Sequence, residues 1–154
     1  MLDAYIYDGL RSPFGRYVGA LATVRPDDLV ATVIKALVEK HQLPSDVFDE
    51  LLLGSANQAG EDSRNIARNA ALLAGLDVTT PGQTVNRLCA SGLSTVVDAA
   101  HSITCHEGDI ILAGGVESMT RAPFVFAKTE KPFSRDFKVF DTTIGSRFPN
   151  PKII

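Results

Sequence analysis

The sequence predicts an α/β fold, and two observations carry that prediction. Short apolar runs alternate with longer amphipathic stretches over residues 2–114, the pattern of strands each followed by a helix. Hydrophobic residues make up 45% of the 154 positions against 21% charged, which is enough to build one buried core. The elements follow in order. Leu2 to Tyr7 reads as a first strand, then a glycine-punctuated loop runs from Arg11 to Ala20. Pro26, Asp27 and Asp28 suit the first turn of a helix, where a missing N–H costs nothing and acids oppose the helix dipole. Leu29, Val30, Val33, Ile34, Leu37 and Val38 give that helix one apolar face, and Pro44 stops it.

Glu50 to Ser55 is a short, nearly all-apolar segment, expected as a buried strand. Ser63 or Arg64 opens a helix that closes at Gly75, Gln83 to Leu88 forms a third strand, Ala90 to His106 a long helix, and Asp109 to Gly114 a fourth strand. The helix after residue 90 is rich in Ala, Ser, Val and Leu with few charges, as expected of one buried on several sides. From Thr120 onward the pattern changes. Pro123, Pro132, Pro149 and Pro151 interrupt it, and Phe recurs at 124, 126, 133, 137, 140 and 148 without a regular period. Such a segment does not build a core of its own, and exposed Phe at that density reads as a surface for a partner.

Composition excludes several classes of function. The formal charge is −3 with Lys and Arg scattered along the chain, so a nucleic-acid partner is not expected. No apolar stretch approaches the roughly 20 residues that span a bilayer. Two Cys without regular spacing give neither a metal motif nor a disulfide framework, and no segment reads as a signal peptide. A cytoplasmic protein without a bound metal or cofactor is the expectation.

Cys89 carries the chemistry. It falls where the strand pattern Gly82 to Leu88 breaks into Ala90, Ser91 and Gly92 and a helical pattern begins. Unpaired N–H groups and the positive end of a helix dipole favour thiolate over thiol there, and the small neighbours leave room for a substrate. The competing reading is a small Cys packed under a helix. A cysteine nucleophile needs a base, yet His101 lies twelve positions further along the same helix, about 18 Å at 1.5 Å per residue. His106 is farther still, and His41 reads as a solvated residue at the C-terminal end of the first helix. Cys105 reads as packing. Gly114-Gly115 fits neither a P-loop nor a dinucleotide fingerprint and is expected as a tight turn beside the site. Gly54 and Gly60 are expected as turns flanking Asn57-Gln58, whose side chains hold a loop or a subunit contact, and Glu117 as a structural carboxylate accepting backbone hydrogen bonds.

These residues also carry a resemblance. Asn86-Arg87-Leu88-Cys89-Ala90-Ser91-Gly92 resembles the acyl-enzyme cysteine motif of the thiolases. Asp8 to Gly15 resembles their N-terminal signature, Ala56 to Gly60 with Arg64 to Arg68 a second loop and helix, and Gly114 to Met119 the segment closing the first half. The stretch from Arg121 through Asp141 to Gly145 is most similar to bacterial β-ketoadipyl-CoA or acetyl-CoA thiolases.

The resemblance implies a thiolase-like half-domain over residues 1–119, a mixed, mainly parallel sheet with helices on both faces, and over 120–154 the beginning of an inserted loop domain. Neither a Gly-His-Pro element nor a Cys-x-Gly-x-Gly element is found, so the chain reads as a truncated first half. The implied function is thiolytic cleavage or Claisen condensation of 3-ketoacyl-CoA through a Cys89 thioester, with the Cys89 backbone N–H in the oxyanion hole and coenzyme A a substrate. The base His and second Cys belong to the absent half, so this chain alone is expected to be inactive. Partners are acyl-CoA and further copies of the chain, as a dimer or tetramer, with Gln83 to Arg87 as an edge strand pairing across a two-fold axis. Two alternatives stand beside this reading: a β-ketoacyl-ACP synthase-like condensing enzyme, and a non-catalytic dimerising half-domain.

Overall fold

The computed structural model describes residues 3–58, 60–135 and 137–153. Its centre is a parallel sheet of three strands, β1 (Glu50–Gly54), β2 (Gly82–Val85) and β3 (Ile111–Gly115), in the order β2-β1-β3. Leu51 pairs with Gly82 on one side and Leu112 on the other, and Gly54 with Val85 and Gly115. Three helices cover the sheet, α1 (Pro26–His41), α2 (Ile66–Ala74) and α3 (Ser91–Thr104). The expected α/β class is therefore observed, with helices on both faces.

The period-two alternation of β1 assigns those faces. Leu51 and Leu53 enter a core with Val30 and Ile34 of α1, Phe48, and Ile66, Ala67, Ala70 and Ala71 of α2. Leu52 and Gly54 face α3. Because β1 is buried from Leu51 to Gly54, it reads as a continuous apolar run.

The helix ends follow local chemistry. Pro26 opens α1 with Asp27 and Asp28 in its first turn, and Gln42 closes it in the left-handed region, φ +53°, two residues before Pro44. Helix α2 starts later than Ser63 or Arg64, because both have positive φ and Asn65 is the cap. The Asn65 Oδ1 accepts from the Arg68 N–H at 3.2 Å, while its Nδ2 donates to the Gly82 carbonyl at 2.9 Å. Gly75 closes α2 at φ +82°.

Four expectations are corrected. Residues 3–7 form no strand: Tyr5, Ile6 and Tyr7 are more than 80% exposed, because no described strand supplies a ladder partner; Leu2 lies outside the described residues. The third strand ends at Val85 rather than Leu88, since Asn86 turns the chain. Helix α3 is buried along one face only, through Ser91, Ser94, Thr95 and Ala99, and leaves Leu93 and Val97 exposed. Cys105 is exposed at the C-cap of α3 and is no packing residue.

After β3 an antiparallel pair, β4 (Phe124–Phe126) and β5 (Val139–Asp141), stands apart from the main sheet. Phe124, Phe126, Phe133, Phe137 and Phe148 remain exposed, in line with the absence of a local core. Among the described residues no helix is long and apolar enough to cross a membrane.

Candidate active site

Cys89 is exposed and stands between β2 and α3, one residue before the N-cap Ala90. No side chain caps α3, so the thiol adjoins a helix start whose first N–H groups have no side-chain acceptor. The sequence placed Cys89 directly against the first helical residue; the structure sets it one residue outside, on a turn.

Leu88 makes that turn. It adopts φ +53°, a left-handed conformation that costs a non-glycine residue about 1–2 kcal/mol. Two polar side chains hold it there. The Leu88 N–H donates to Asn86 Oδ1 at 2.9 Å. Ser91 Oγ donates to the Leu88 carbonyl at 2.6 Å and accepts from the Arg87 N–H at 2.8 Å. Asn86 Nδ2 in turn donates to the Ala56 carbonyl at 3.2 Å, which ties the turn to the loop after β1. Reading the sequence placed Asn86 on an exposed edge and missed this role. The available signal was Asn two residues before Leu88, the spacing of an Asx-turn.

Small residues let α3 sit on the sheet. A Cβ built on Gly54 would lie 2.3 Å from the Ser91 carbonyl carbon and 2.4 Å from the Gly92 nitrogen. One built on Gly115 would meet the Gly54 carbonyl oxygen at 3.0 Å and Gly92 Cα at 3.2 Å. Gly54 and Gly115 are therefore strand residues at a close helix approach, not turns as expected. Thr95 Oγ1 closes the contact, its single O–H shared between the Gly92 and Gly114 carbonyls at 2.7 and 2.9 Å.

Glu117 behaves as expected, accepting from the Ala56 N–H at 2.8 Å and the Asn57 N–H at 3.2 Å. Asn57 Nδ2 reaches Thr142 Oγ1 at 3.1 Å, and Gln58 Nε2 donates to the Ser55 carbonyl at 3.0 Å, so both side chains hold loops. His41 is not simply solvated. Its Nε2 lies 2.6 Å from Asp8 Oδ2, and Tyr7 meets its ring edge-on with centroids 5.1 Å apart. Hydrogen bonds from Lys40 first, then His41 and the Gly9 N–H, hold the Asp8 carboxyl far below its ordinary range. His101 lies in the last turn of α3 and His106 beyond it, so neither histidine is brought to Cys89.

Fold and site together define an α/β domain whose exposed thiol stands on a strained strand-to-helix turn. Residues 4–146 match the family model described as the thiolase N-terminal domain. The chain is 53% identical over 152 residues to the 3-oxoadipyl-CoA/3-oxo-5,6-dehydrosuberyl-CoA thiolase of Escherichia coli K12, covering 98% of this chain and 38% of that protein. It is 54% identical to the β-ketoadipyl-CoA thiolase of Pseudomonas knackmussii over 97% of this chain and 37% of that one. The crystal structure of the Bacillus anthracis acetyl-CoA acetyltransferase superposes with TM-score 0.79 at 33% identity, covering 86% of this chain and 34% of that chain. The chain thus belongs to the thiolase family, as its N-terminal domain. It spans less than two-fifths of the length of these relatives.

Proposed function

We propose that Cys89 is the acyl-accepting nucleophile of a thiolase acting on 3-ketoacyl-CoA, and that this chain supplies the nucleophile half of that enzyme. The observation that carries the reading is the exposed Cys89 thiol held on the Leu88 turn at the start of α3. In thiolysis, Cys89 Sγ bonds to the 3-keto carbon and the bond between that carbon and C2 breaks. The electron pair leaves on C2 as an enolate, which takes a proton to become acetyl-CoA. A second CoA thiol then attacks the Cys89 thioester and carries the acyl group away. Backbone N–H groups at the helix start, that of Cys89 among them, would hold the oxyanion. Coenzyme A enters and leaves as a substrate.

Both proton transfers need groups, and none of the described residues hydrogen-bonds the Cys89 thiol to supply them. Alone this chain is expected to be inactive, the base and the proton donor coming from the remainder of a thiolase. Identities of 53–54% to β-ketoadipyl-CoA thiolases support a 3-oxoadipyl-type substrate and a role in aromatic degradation. Position supports assembly through β2, an edge strand of the described sheet, paired with its own copy in a cytoplasmic dimer.

A second reading, a non-catalytic dimerising half-domain, is favoured by the absence, among the described residues, of a base hydrogen-bonded to Cys89. Thiolysis of 3-oxoadipyl-CoA and acetoacetyl-CoA, assayed with this chain alone and after co-expression with the complementary thiolase half, separates the two. Turnover only in the co-expressed sample, abolished by Cys89→Ala, supports the enzyme; no turnover in either supports the half-domain.

A further inference from the structure

The turn that carries Cys89 is held by hydrogen bonds rather than by burial. Leu88 stands at φ +53° while its side chain is 71% exposed, so packing contributes little to keeping it in the left-handed region. What holds it is Asn86 Oδ1 on its N–H and Ser91 Oγ on its carbonyl. Asn86 can do this only while its amide keeps one orientation, and the other end of that amide, Nδ2, is fixed on the Ala56 carbonyl.

Ala56 is itself held from the opposite side. Its N–H and that of Asn57 both donate to the Glu117 carboxylate, at 2.8 and 3.2 Å. Glu117 makes no ion pair among the described residues, so its charge is committed to these two N–H groups. Hydrogen bonds to a carboxylate are about twice as strong as neutral ones.

The sheet explains why these residues meet. Ala56, Asn86 and Glu117 each lie within two residues of the C-terminal end of a parallel strand, β1, β2 and β3 respectively, and β1 is the middle strand. The Ser55 N–H donates to the Val85 carbonyl and the Val116 N–H to the Gly54 carbonyl, both at 3.0 Å, which carries the ladder up to that point. The side chains leaving the two outer strands therefore close on the backbone leaving the middle one.

We propose that Glu117 is a positioning residue for Cys89. By fixing the Ala56 peptide it fixes Asn86, and through Asn86 the left-handed Leu88 that sets the thiol beside the start of α3. The inference rests on the reading of Cys89 as the nucleophile, and it gives a part in that chemistry to a carboxylate whose described hydrogen bonds all go to backbone N–H groups.

Two physical consequences separate positioning from support of the fold. Glycine takes positive φ without steric cost, so Leu88→Gly keeps the turn accessible without the clamp. Removing a negative charge favours a nearby thiolate, so loss of the Glu117 charge by itself would raise Cys89 reactivity, not lower it.

The test is the rate of iodoacetamide alkylation of Cys89 in the folded 154-residue chain, taken as a ratio to Cys105, which is exposed at the other end of α3. Asn86→Ala removes two hydrogen bonds and is expected to lower that ratio about tenfold, and Glu117→Ala, one step further away, about threefold. Adding Leu88→Gly to either variant is expected to return the ratio to within about twofold of the parent. A ratio unchanged in E117A, or lowered there and not restored by L88G, would overturn the positioning role while leaving Cys89 as the nucleophile. A parent that alkylates Cys89 no faster than Cys105 would instead remove the nucleophile reading, and the proposal with it. Should E117A fail to fold, Glu117→Gln, which keeps one acceptor oxygen for the loop, is expected to show the same fall and the same rescue, and absence of either overturns the proposal.

Discussion

Gly54→Ala should be severely destabilising. Its Cβ would arrive 2.3 Å from the Ser91 carbonyl carbon, 2.4 Å from the Gly92 nitrogen and 2.7 Å from the Ser91 oxygen. All three are backbone atoms at the start of α3, so no side-chain rotation relieves the clash. Ordinary contact begins at 3.4 Å, so α3 must lift from β1 by roughly 1 Å. That displacement breaks the fit of Thr95 Oγ1 against the Gly114 carbonyl and moves the turn that carries Cys89. Overpacking against an immobile neighbour costs about 1–3 kcal/mol, and the upper end applies where backbone must shift. Gly114→Ala is the matched control, because its Cβ would meet only Leu53 Cδ2 at 3.6 Å. Removing glycine from a strand should then be neutral or stabilising by up to about 1 kcal/mol. Urea denaturation followed by circular dichroism compares the midpoints directly. Equal midpoints for G54A and G114A would refute the claim that α3 rests on the sheet at Gly54.

Further outcomes follow from the same geometry. Limiting iodoacetamide and peptide mapping should label Cys89 ahead of Cys105, since both are exposed but only Cys89 adjoins a helix start; preferential labelling of Cys105 would count against the assignment. Asn65→Ala should cost about 1–2 kcal/mol, at the high end for a cap, because its side chain also accepts from Thr84 and donates to Gly82; a change below a few tenths in chemical denaturation would contradict this. Asp49 is held below its ordinary 3.8 by the N–H groups of Ile110 and Asp109, and Glu61 below 4.5 chiefly by Arg121. Both contribute stability that is present above those ordinary values and lost as pH falls through the lower folded ones. Urea midpoints should therefore drop below about pH 4.5, less steeply in Asp49→Asn, and a parent profile flat to pH 3 would exclude the effect. Sedimentation velocity should show self-association through β2, and a monomer at every concentration would remove that interface.

What the sequence disclosed was what depends on local pattern. The apolar run Leu51 to Leu53, the Pro26-Asp27-Asp28 helix start and the Gly75 stop are each written in neighbouring residues, and each was legible. The place of Cys89 at the junction of β2 and α3 and the backbone-binding role of Glu117 were legible too, from residue type and position. The rest depended on contacts far apart in the chain. Tyr5, Ile6 and Tyr7 have strand-forming side chains, but a strand exists only where a neighbour completes its ladder, and none of the described residues does so. Gly54 and Gly115 look like turn residues when read alone; they are strand residues because Gly92 and Ser91 pack on them from across the chain. His41 looked solvated because Asp8, its partner, lies 33 positions away. Asp62 Oδ2 and Asn57 Oδ1, buried without a hydrogen-bond partner among the described residues, carry no sequence signal at all.

The measurement closest to the central claim is acyl capture. The chain co-expressed with a complementary thiolase half would be incubated with 3-oxoadipyl-CoA or acetoacetyl-CoA in the absence of free CoA, quenched in acid and mapped by mass spectrometry. A thioester on Cys89, released when CoA is added and absent from Cys89→Ala, is the expected result. An acyl group on any other residue, or turnover that survives Cys89→Ala, would contradict the assignment of Cys89 as the nucleophile.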